Sequence, residues 1–257
     1  MQVKKITQHI VSWLNNYCEN AGTDGFIVGI SGGVDSALTS TLCAMTGKKV
    51  ILITMPIRQS HAEHKRARTH IADLEKRFEN VKGMEIDLTN SFDRLKDDLP
   101  DAVSKDFLSM ANARARLRML TLYAVGQTNR LLVAGTGNKV EDFGVGFYTK
   151  YGDGGVDISP IADLMKTEVW ACAKEVGVIE EIVTAKPTDG LWDDGRSDED
   201  QICASYPELE WAMTFDGNEE QLHDRQKEVL AIFRKFNRAN KHKMLPIPVC
   251  TIPEEYK

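Results

Sequence analysis

Residues 30–36, which read I-S-G-G-V-D-S, combine residue types that bind a phosphate group with one that binds a metal ion. Gly32 and Gly33 permit positive φ angles and let the backbone approach a ligand closely. The two serines supply hydroxyls, and a helix beginning near Val34 directs free N–H groups and its positive dipole end at the same point. This combination predicts an anion site suited to phosphate.

Asp35 places a negative charge in this anion site. Mg²⁺ takes carboxylate and phosphate oxygens together, so Asp35 fits here if a magnesium ion lies between it and the phosphates. The segment is not a Walker A loop, because no lysine follows the glycines, and it is not G-x-G-x-x-G. A glycine-rich turn capped by serines is the structural alternative that the spacing leaves open.

A second glycine-rich region follows a later apolar run. Residues 135–142 read G-T-G-N-K-V-E-D, and residues 146–157 read G-F-Y-T-K-Y-G-D-G-G-V-D. The aromatic side chains offer faces for a flat ring, Lys150 offers a cation for phosphate or carboxylate, and the aspartates can bind hydroxyls. A surface loop without a ligand is the alternative interpretation.

Short apolar runs alternate with helical patterns along the chain. The pattern predicts strands over residues 26–30, 49–55, 84–88 and 131–134, and helices over 3–17, 34–45, 61–78, 107–128 and 219–240. We therefore predict an α/β fold, a Rossmann-like doubly wound parallel sheet of about five strands in the order 3-2-1-4-5, with helices on both faces. In that order a crevice opens between strands 1 and 4, at the ends that both glycine-rich regions follow.

The composition excludes several classes of protein. The chain has 257 residues, 42% hydrophobic and 27% charged, which is typical of a globular protein, and we expect one domain over residues 1–257. A net charge of −6 argues against a nucleic-acid partner. Absence of a long apolar run argues against a membrane span. Five scattered cysteines without a C-x-x-C pair fit a reducing cytoplasm, as small buried residues rather than zinc or iron–sulfur ligands.

The S-G-G-x-D-S pattern after a buried strand resembles the pyrophosphate loop of the ATP pyrophosphatase superfamily, whose members adenylate a carbonyl or carboxylate. Nearly the whole chain is similar to the NAD synthetase family of that superfamily. The similarity covers N-A-R-A-R-L-R-M at 112–119, both glycine-rich regions, I-A-D-L-M-K-T-E-V at 161–169, K-P-T at 186–188 and K-H-K at 241–243. It implies an ammonia-dependent ligase that amidates deamido-NAD through an adenylated nicotinate, giving NAD, AMP and pyrophosphate.

The resemblance also implies roles for individual residues. Asp35, Glu141 and Lys166 would be catalytic, with Asp35 and Glu141 holding Mg²⁺. The implied ATP-binding residues are Gly29, Ser31, Gly33, Val34, Asp35, Ser36, Met55, Thr136, Lys166 and Thr188. The implied deamido-NAD-binding residues are Arg116, Tyr123, Phe147, Lys150, Asp153, Asp157 and His242. Asp142 beside Glu141 leaves the choice of metal ligand open, with Glu141 favoured, and the segment before Phe147 is one residue longer than in some relatives.

Partners follow from the same resemblance. We expect a homodimer whose interface completes the dinucleotide site, with the helix from Phe107 as the candidate interface. Glutamine-using relatives carry an added amidohydrolase domain, so we expect free ammonia or a separate glutaminase here.

The charged segment 188–205, with Ser197 and Asp200 spaced as a helix cap, is expected to close over the intermediate. The rival functions are another adenylating pyrophosphatase, such as a GMP-synthetase-type or tRNA-thiolating enzyme, and a non-catalytic nucleotide sensor.

Overall fold

A parallel sheet lies at the centre of the computed structural model, which describes residues 1–58, 60–188 and 197–257. Its strands in these residues are β1 (Gly25–Gly29), β2 (Lys49–Thr54), β3 (Val81–Glu85) and β4 (Leu131–Val133). They are ordered β3-β2-β1-β4 and every pairing is parallel. The predicted fold class and the order of the first four strands are confirmed.

Helices connect the strands and extend the chain after β4. Before β4 lie α1 (Val3–Asn20), α2 (Val34–Met45), α3 (His61–Arg77), α4 (Thr89–Asp98), α5 (Asp101–Ser104) and α6 (Phe107–Asn129). After it lie a π-helix (Val140–Val145), α7 (Lys166–Glu175), α8 (Glu180–Val183), α9 (Asp198–Ile202), α10 (Tyr206–Thr214) and α11 (Asp224–Met244). The described residues also include the 3₁₀ turns Glu219–Gln221 and Glu254–Tyr256.

Both faces of the sheet are covered, because successive side chains on a strand point to opposite faces. Phe26 and Val28 pack in one core with residues of α1, α2, α3 and α7. Ile27, between them, packs in a second core with residues of α4 and α6. A third core joins the π-helix to α10 and α11. Continuous apolar runs such as β1 are what strands buried on both faces require.

The predicted third and fifth strands differ from the structure. β3 occupies residues 81–85 rather than 84–88. The prediction began too late because Lys82 and Gly83 interrupt the apolar run. The chain still follows β2, with Ile86 N 3.0 Å from Thr54 O, which explains the apolar pattern of 84–88. In place of a fifth strand, the described residues show only an isolated parallel bridge between Ala134 and Ile158.

The C-terminal third also departs from the prediction. Its long helix begins at Asp224, where the His223 side chain accepts a hydrogen bond from Gln226 N, rather than at residue 219. The predicted cap is confirmed, because Asp200 N donates to Ser197 Oγ at 3.1 Å and Ser197 N to Asp200 Oδ2 at 2.9 Å. Of the expected closing segment, residues 189–196 lie outside the described residues.

Two expectations from composition have structural outcomes. Cys203 and Cys250 are exposed, so only three of the five cysteines are the buried residues that we expected. None of the helices in the described parts of the chain has both the length and the apolar character needed to cross a bilayer.

Candidate functional site

The segments that follow β1 and β4 meet at one edge of the sheet. β1 and β4 are paired in parallel, so both segments leave the same edge. Asn138 Nδ2 donates a hydrogen bond to Asp35 Oδ1 at 3.0 Å, which joins the two segments directly. The predicted crevice therefore lies between strands 1 and 4.

The loop from β1 to α2 needs glycine at one position above all. Gly32 has φ +91°, and a Cβ there would lie 2.5 Å from the Glu63 carbonyl oxygen. Gly33 has an extended backbone with φ −95° and caps α2, so of the two glycines that permit a positive φ only Gly32 adopts one. A bend at Gly32 presents the start of α2, with its free N–H groups, to the edge of the sheet.

Hydroxyl groups cluster at the same helix end. Ser31 Oγ lies 3.1 Å from Ser36 Oγ, and Ser36 Oγ donates to Gly33 O at 3.0 Å. Gly33 N donates to Ser31 Oγ at 3.2 Å. The two predicted serines are thus together, and their hydroxyls form hydrogen bonds with one another and with the loop backbone.

Lys166 joins the predicted catalytic carboxylates. Its Nζ lies 2.6 Å from Asp35 Oδ2 and 2.9 Å from Glu141 Oε1. Its side chain is only 2% exposed, against 17% for each carboxylate. The three residues come from α2, the π-helix and α7, and Asp35 is 131 positions from Lys166 in sequence, yet they form one ion cluster at the crevice.

Burial and charge act against each other in this cluster. Burial raises the pKa of Asp35 above its usual value, against the opposing attraction of Lys166. Burial also acts to raise the pKa of Glu141, but Lys166 and the hydrogen bond from Tyr206 outweigh it and lower that pKa. The two carboxylates likewise outweigh burial at Lys166 and raise its pKa. Lys166 is therefore a fixed cation at neutral pH.

The π-helix accounts for the two adjacent acidic residues. A π-helix has a wider turn than an α-helix, which is the shape expected where one extra residue precedes Phe147. It directs Glu141 to Lys166, while the Asp142 carboxylate lies against Gly137, where a Cβ would overlap it. Burial, followed by repulsion from Glu141, raises the pKa of Asp142 to about 7. The geometry favours Glu141 over Asp142 as the partner of Asp35.

The other implied ATP-binding residues surround this edge at different depths. Gly29 ends β1, and a Cβ there would lie 3.2 Å from the Met55 methyl group. Met55 itself is buried just beyond β2. Val34 is buried at the start of α2, Thr136 is half-buried after β4, and Thr188 is exposed.

Most of the residues implied for the acceptor are joined in pairs. Tyr123 OH lies 3.0 Å from Asp157 Oδ1, and Asp157 Oδ2 accepts from Val133 N at 2.8 Å. Lys150 Nζ donates to the His242 carbonyl oxygen at 2.9 Å, so this pair meets through backbone rather than through the imidazole.

Three further members of the acceptor set have local contacts. Arg116 donates to Lys150 O at 3.3 Å. Asp153 Oδ1 accepts from Thr149 N at 3.0 Å, and Phe147 packs against the third core.

Two hollows lie beside these groups. One, of about 190 Å³, is lined by Asp142, Tyr148, Asp153 and Lys243 among others. The second, of about 580 Å³, is a mainly apolar depression between α4, α5 and α6 that includes Leu99, Leu117 and Leu120. The first therefore borders the implied acceptor residues, and the second borders the helix that we expected at a dimer interface.

Comparisons with known proteins agree on one family. The NAD synthase family profile matches residues 6–246. The chain is 36% identical over 270 aligned positions to an NH₃-dependent NAD⁺ synthetase of Methanosarcina acetivorans, covering all of both chains. The chain belongs to the NAD synthase family.

Solved structures agree with this assignment. An NMN synthetase from Francisella tularensis superposes with a TM-score of 0.85 at 29% identity, covering 99% of each chain. An NH₃-dependent NAD synthetase from Campylobacter jejuni gives 0.78 at 26% identity, covering 98% of this chain and all of that one. The family's ammonia-dependent NAD synthetases are ligases that form a carbon–nitrogen bond and use ATP.

Three residues that contact the ion cluster or its neighbours were not predicted from the sequence: Tyr206, Asp198 and Asn138. Tyr206 OH lies 2.6 Å from Glu141 Oε1 and 3.2 Å from Asp198 Oδ2. Asn138 binds Asp35 and also accepts the Val140 and Glu141 N–H groups. The capping pattern before α10 could have placed Tyr206 in a helix, but no sequence signal places its hydroxyl on a carboxylate of another segment.

The donor set fits a magnesium ion of the kind that the NAD synthase fold implies. Within residues 1–58, 60–188 and 197–257 no group of three or more His, Cys, Asp and Glu could hold a metal ion. Mg²⁺ is commonly bound by one or two carboxylates and completes its shell with phosphate oxygens and water. Asp35 and Glu141 already direct oxygens at one shared cation, Lys166 Nζ. These two carboxylates match that requirement.

Proposed function

We propose that this chain uses ATP to activate the nicotinate carboxylate of deamido-NAD and transfers ammonia to it, giving NAD, AMP and pyrophosphate. The observation that carries the proposal is the Asp35–Lys166–Glu141 cluster at the sheet edge that the glycine–serine loop follows. Membership of the NAD synthase family gives this cluster its chemical context.

The first step forms a mixed anhydride. A carboxylate oxygen of deamido-NAD attacks the α-phosphorus of ATP, the bond to the β-phosphate oxygen breaks, and pyrophosphate leaves with the electron pair. N–H groups at the start of α2 and the Ser31 and Ser36 hydroxyls bind phosphate oxygens. Lys166 offsets the charge that develops on the leaving pyrophosphate.

The second step replaces AMP by nitrogen. A free carboxylate is a poor electrophile, whereas the adenylated carbonyl carbon accepts the lone pair of ammonia. AMP leaves and one proton is released as the amide forms. Exclusion of water matters here, because hydrolysis of the anhydride would waste ATP.

Asp35 and Glu141 would hold Mg²⁺ in this scheme. When bound, the ion supplies Lewis-acid stabilisation of phosphate charge. Gly29, Gly33, Val34, Met55, Thr136 and Thr188 would complete the ATP site.

The acceptor would bind at the other residues implied by the family. Lys150 and His242 would meet its anionic groups, and Phe147 would stack on the nicotinate ring. Arg116, Tyr123, Asp153 and Asp157 would complete this side.

We further propose a homodimer in which α6 lies at the interface. Only three of the 23 residues of α6 are buried in the single chain. Leu120, at 60% exposure, lies beside the apolar depression between α4, α5 and α6. A second copy placed there would cover that depression next to Arg116 and so border the dinucleotide site.

Ammonia would reach the site free in solution or from a separate glutaminase. In this proposal residues 1–257 work as one ATP pyrophosphatase domain in the cytoplasm. Free thiols at all five cysteines are compatible with a reducing compartment.

Pyrophosphate release tests the proposal. Release from ATP should require both deamido-NAD and ammonium, with NAD formed in equal amount. Release that proceeds as fast with xanthosine monophosphate or tRNA would favour another adenylating enzyme, and nucleotide binding without release would favour a sensor.

Nicotinate mononucleotide is a second candidate for the acceptor. The specific observation is the TM-score of 0.85 to an NMN synthetase, above the 0.78 to the Campylobacter NAD synthetase. The two acceptors carry the same carboxylate and differ in the adenylate half. A kcat/KM comparison of deamido-NAD with nicotinate mononucleotide, under the same ammonium and ATP concentrations, decides between them.

A further inference from the structure

Lys166 occupies the place between the two carboxylates that a divalent cation would need. Its Nζ lies 2.6 Å from Asp35 Oδ2 and 2.9 Å from Glu141 Oε1. A magnesium ion binds oxygen ligands at about 2.0–2.1 Å. An ion bound to these same two oxygens would overlap the ammonium group. Lys166 and the metal ion are therefore alternative occupants of one position.

A cation between the two carboxylates stabilises their ionised forms. Two carboxylates lie side by side with little exposure, and leaving either without a counter-ion in such surroundings is costly. Lys166 provides that counter-ion in the structure. It begins α7, so its flexible side chain can turn away from the carboxylates without moving the helix. The negatively charged phosphate oxygens of ATP can pair with the ammonium group of Lys166 after it leaves the carboxylates.

Tyr206 also contacts the Glu141 carboxylate that binds Lys166. Its hydroxyl lies 2.6 Å from Glu141 Oε1, and its ring lies 4.6 Å from Lys166 Nζ. Tyr206 is fully buried, and its ring packs edge-on against Trp170 with centroids 6.3 Å apart. This packing fixes the hydroxyl independently of Lys166, so the hydrogen bond can keep Glu141 in place when the ammonium leaves.

We propose that Lys166 is the resident counter-ion of the Asp35–Glu141 pair, that it exchanges with the divalent cation when ATP binds, and that Tyr206 is the residue that positions Glu141 during the exchange. This inference rests on the proposed function for its ligands, ATP and a divalent metal. Its test measures metal binding to nucleotide-free protein, which needs neither deamido-NAD nor turnover. The exchange can therefore fail while the amidation assay succeeds, and the reverse.

The decisive experiment is a titration of nucleotide-free protein with Mn²⁺, followed by the electron paramagnetic resonance signal of the free ion. Lys166→Met removes the resident cation and keeps a long side chain. It should bind Mn²⁺ about tenfold or more tightly than wild type, a difference of about 1.4 kcal/mol. Lys139→Met is the matched control, because it breaks an ion pair of 2.8 Å with the exposed Asp163 and should bind Mn²⁺ like wild type. Equal affinity in Lys166→Met and wild type would overturn the exchange.

Thermal unfolding provides a second measurement. Lys166→Met should melt at a lower temperature than wild type without metal, and Mn²⁺ should raise its melting temperature more than that of wild type. If this variant does not fold without metal, the titration is repeated on Lys166→Gln. A melting temperature of either variant that does not respond to Mn²⁺ counts against the proposal.

Tyr206→Phe tests the positioning role by removing one hydroxyl. Loss of an outer hydrogen-bond partner of a metal ligand weakens metal binding by about tenfold. The variant should need about tenfold more Mn²⁺ for half-maximal activity, with the KM for deamido-NAD unchanged. Tyr17→Phe, on the partly exposed side of α1, is the control. A lower kcat at unchanged Mn²⁺ dependence would show that Tyr206 has only a structural role.

Discussion

Two regions of this chain are built in different ways. One is the phosphate edge, which contains Asp35, Glu141 and Lys166, and the other is the acceptor face, which contains Arg116, Lys150 and His242. At the phosphate edge, Lys166 is 2% exposed and its carboxylate partners are fixed by buried elements. On the acceptor face, Arg116 of α6 donates to the Lys150 carbonyl oxygen, and Lys150 donates to the His242 carbonyl oxygen of α11. Both hydrogen bonds are exposed. The first arrangement is complete in a single chain, whereas the second lies beside an uncovered apolar depression.

This difference indicates which part of the reaction each region determines. A buried ion cluster positions charge accurately, because low dielectric and dense packing limit its alternatives. An exposed face can be completed by a second copy and can adapt to the size of its acceptor. We therefore expect substitutions at the phosphate edge to abolish activation of any acceptor, and substitutions on the acceptor face to change acceptor affinity.

The largest expected effect is at Asp35. Asp35→Asn removes the negative charge shared with Lys166 and one of the two proposed metal ligands. The kcat/KM for pyrophosphate release should fall by about 1,000-fold, or about 4 kcal/mol. Asp163→Asn is the control, since its carboxylate is exposed and pairs with Lys139. An active Asp35→Asn enzyme would remove the cluster from the mechanism.

Gly32 tests the backbone that supports this edge. Gly32→Ala should destabilise the chain by about 3 kcal/mol, since it combines a left-handed φ with overlap of the Glu63 carbonyl. Gly47→Ala is the matched control, because its φ of +72° is similarly left-handed but nothing lies within 4 Å of the added Cβ. It should cost about 1 kcal/mol in urea unfolding. Equal losses would show that the contact with Glu63 contributes nothing.

Leu120 tests the acceptor face. Leu120→Glu places a charge on the exposed side of α6, beside the apolar depression. The variant should elute as a monomer in size-exclusion chromatography, and its kcat/KM for deamido-NAD should fall about 100-fold, or about 2.7 kcal/mol. Met45→Glu, exposed at the end of α2, should leave both unchanged. A monomeric variant of full activity would separate the dimer from the site.

Much of the phosphate edge could be predicted from sequence because its signals are local. The glycines, the serines and Asp35 share one segment, and the parallel sheet follows from the alternation of buried runs and helices. Lys166 and Glu141 were implied by resemblance rather than by spacing. The side chain that locks Glu141 could not be predicted, since Tyr206 is 65 positions away and is brought there by tertiary packing. β3 was misplaced because Lys82 and Gly83 break its apolar run.

The smallest predicted effect concerns a buried histidine of α3. His70 is fully buried against α2, and its Nε2 lies 2.9 Å from Ser40 Oγ. The Ser40 hydroxyl donates to Ser36 O at 2.7 Å, so the imidazole must donate through Nε2. A second proton would go on Nδ1, which has no hydrogen-bond partner in the part of the chain that the structure describes. Burial therefore lowers the pKa of His70 to about 4.

This lowered pKa predicts a loss of stability in acid. The unfolded chain binds a proton at this histidine below its ordinary pKa of 6.5, while the folded chain does not until about pH 4. Stability is thus fully present above pH 6.5 and is lost as the pH falls towards 4, by about 1.5 kcal/mol between pH 6.5 and about pH 5. Other groups titrate in this range, so the measurement is the difference in slope between wild type and His70→Gln in urea unfolding. His61→Gln, at the exposed start of α3, is the control for loss of a histidine. A His70→Gln slope equal to that of wild type would mean that folding leaves the pKa of His70 unchanged.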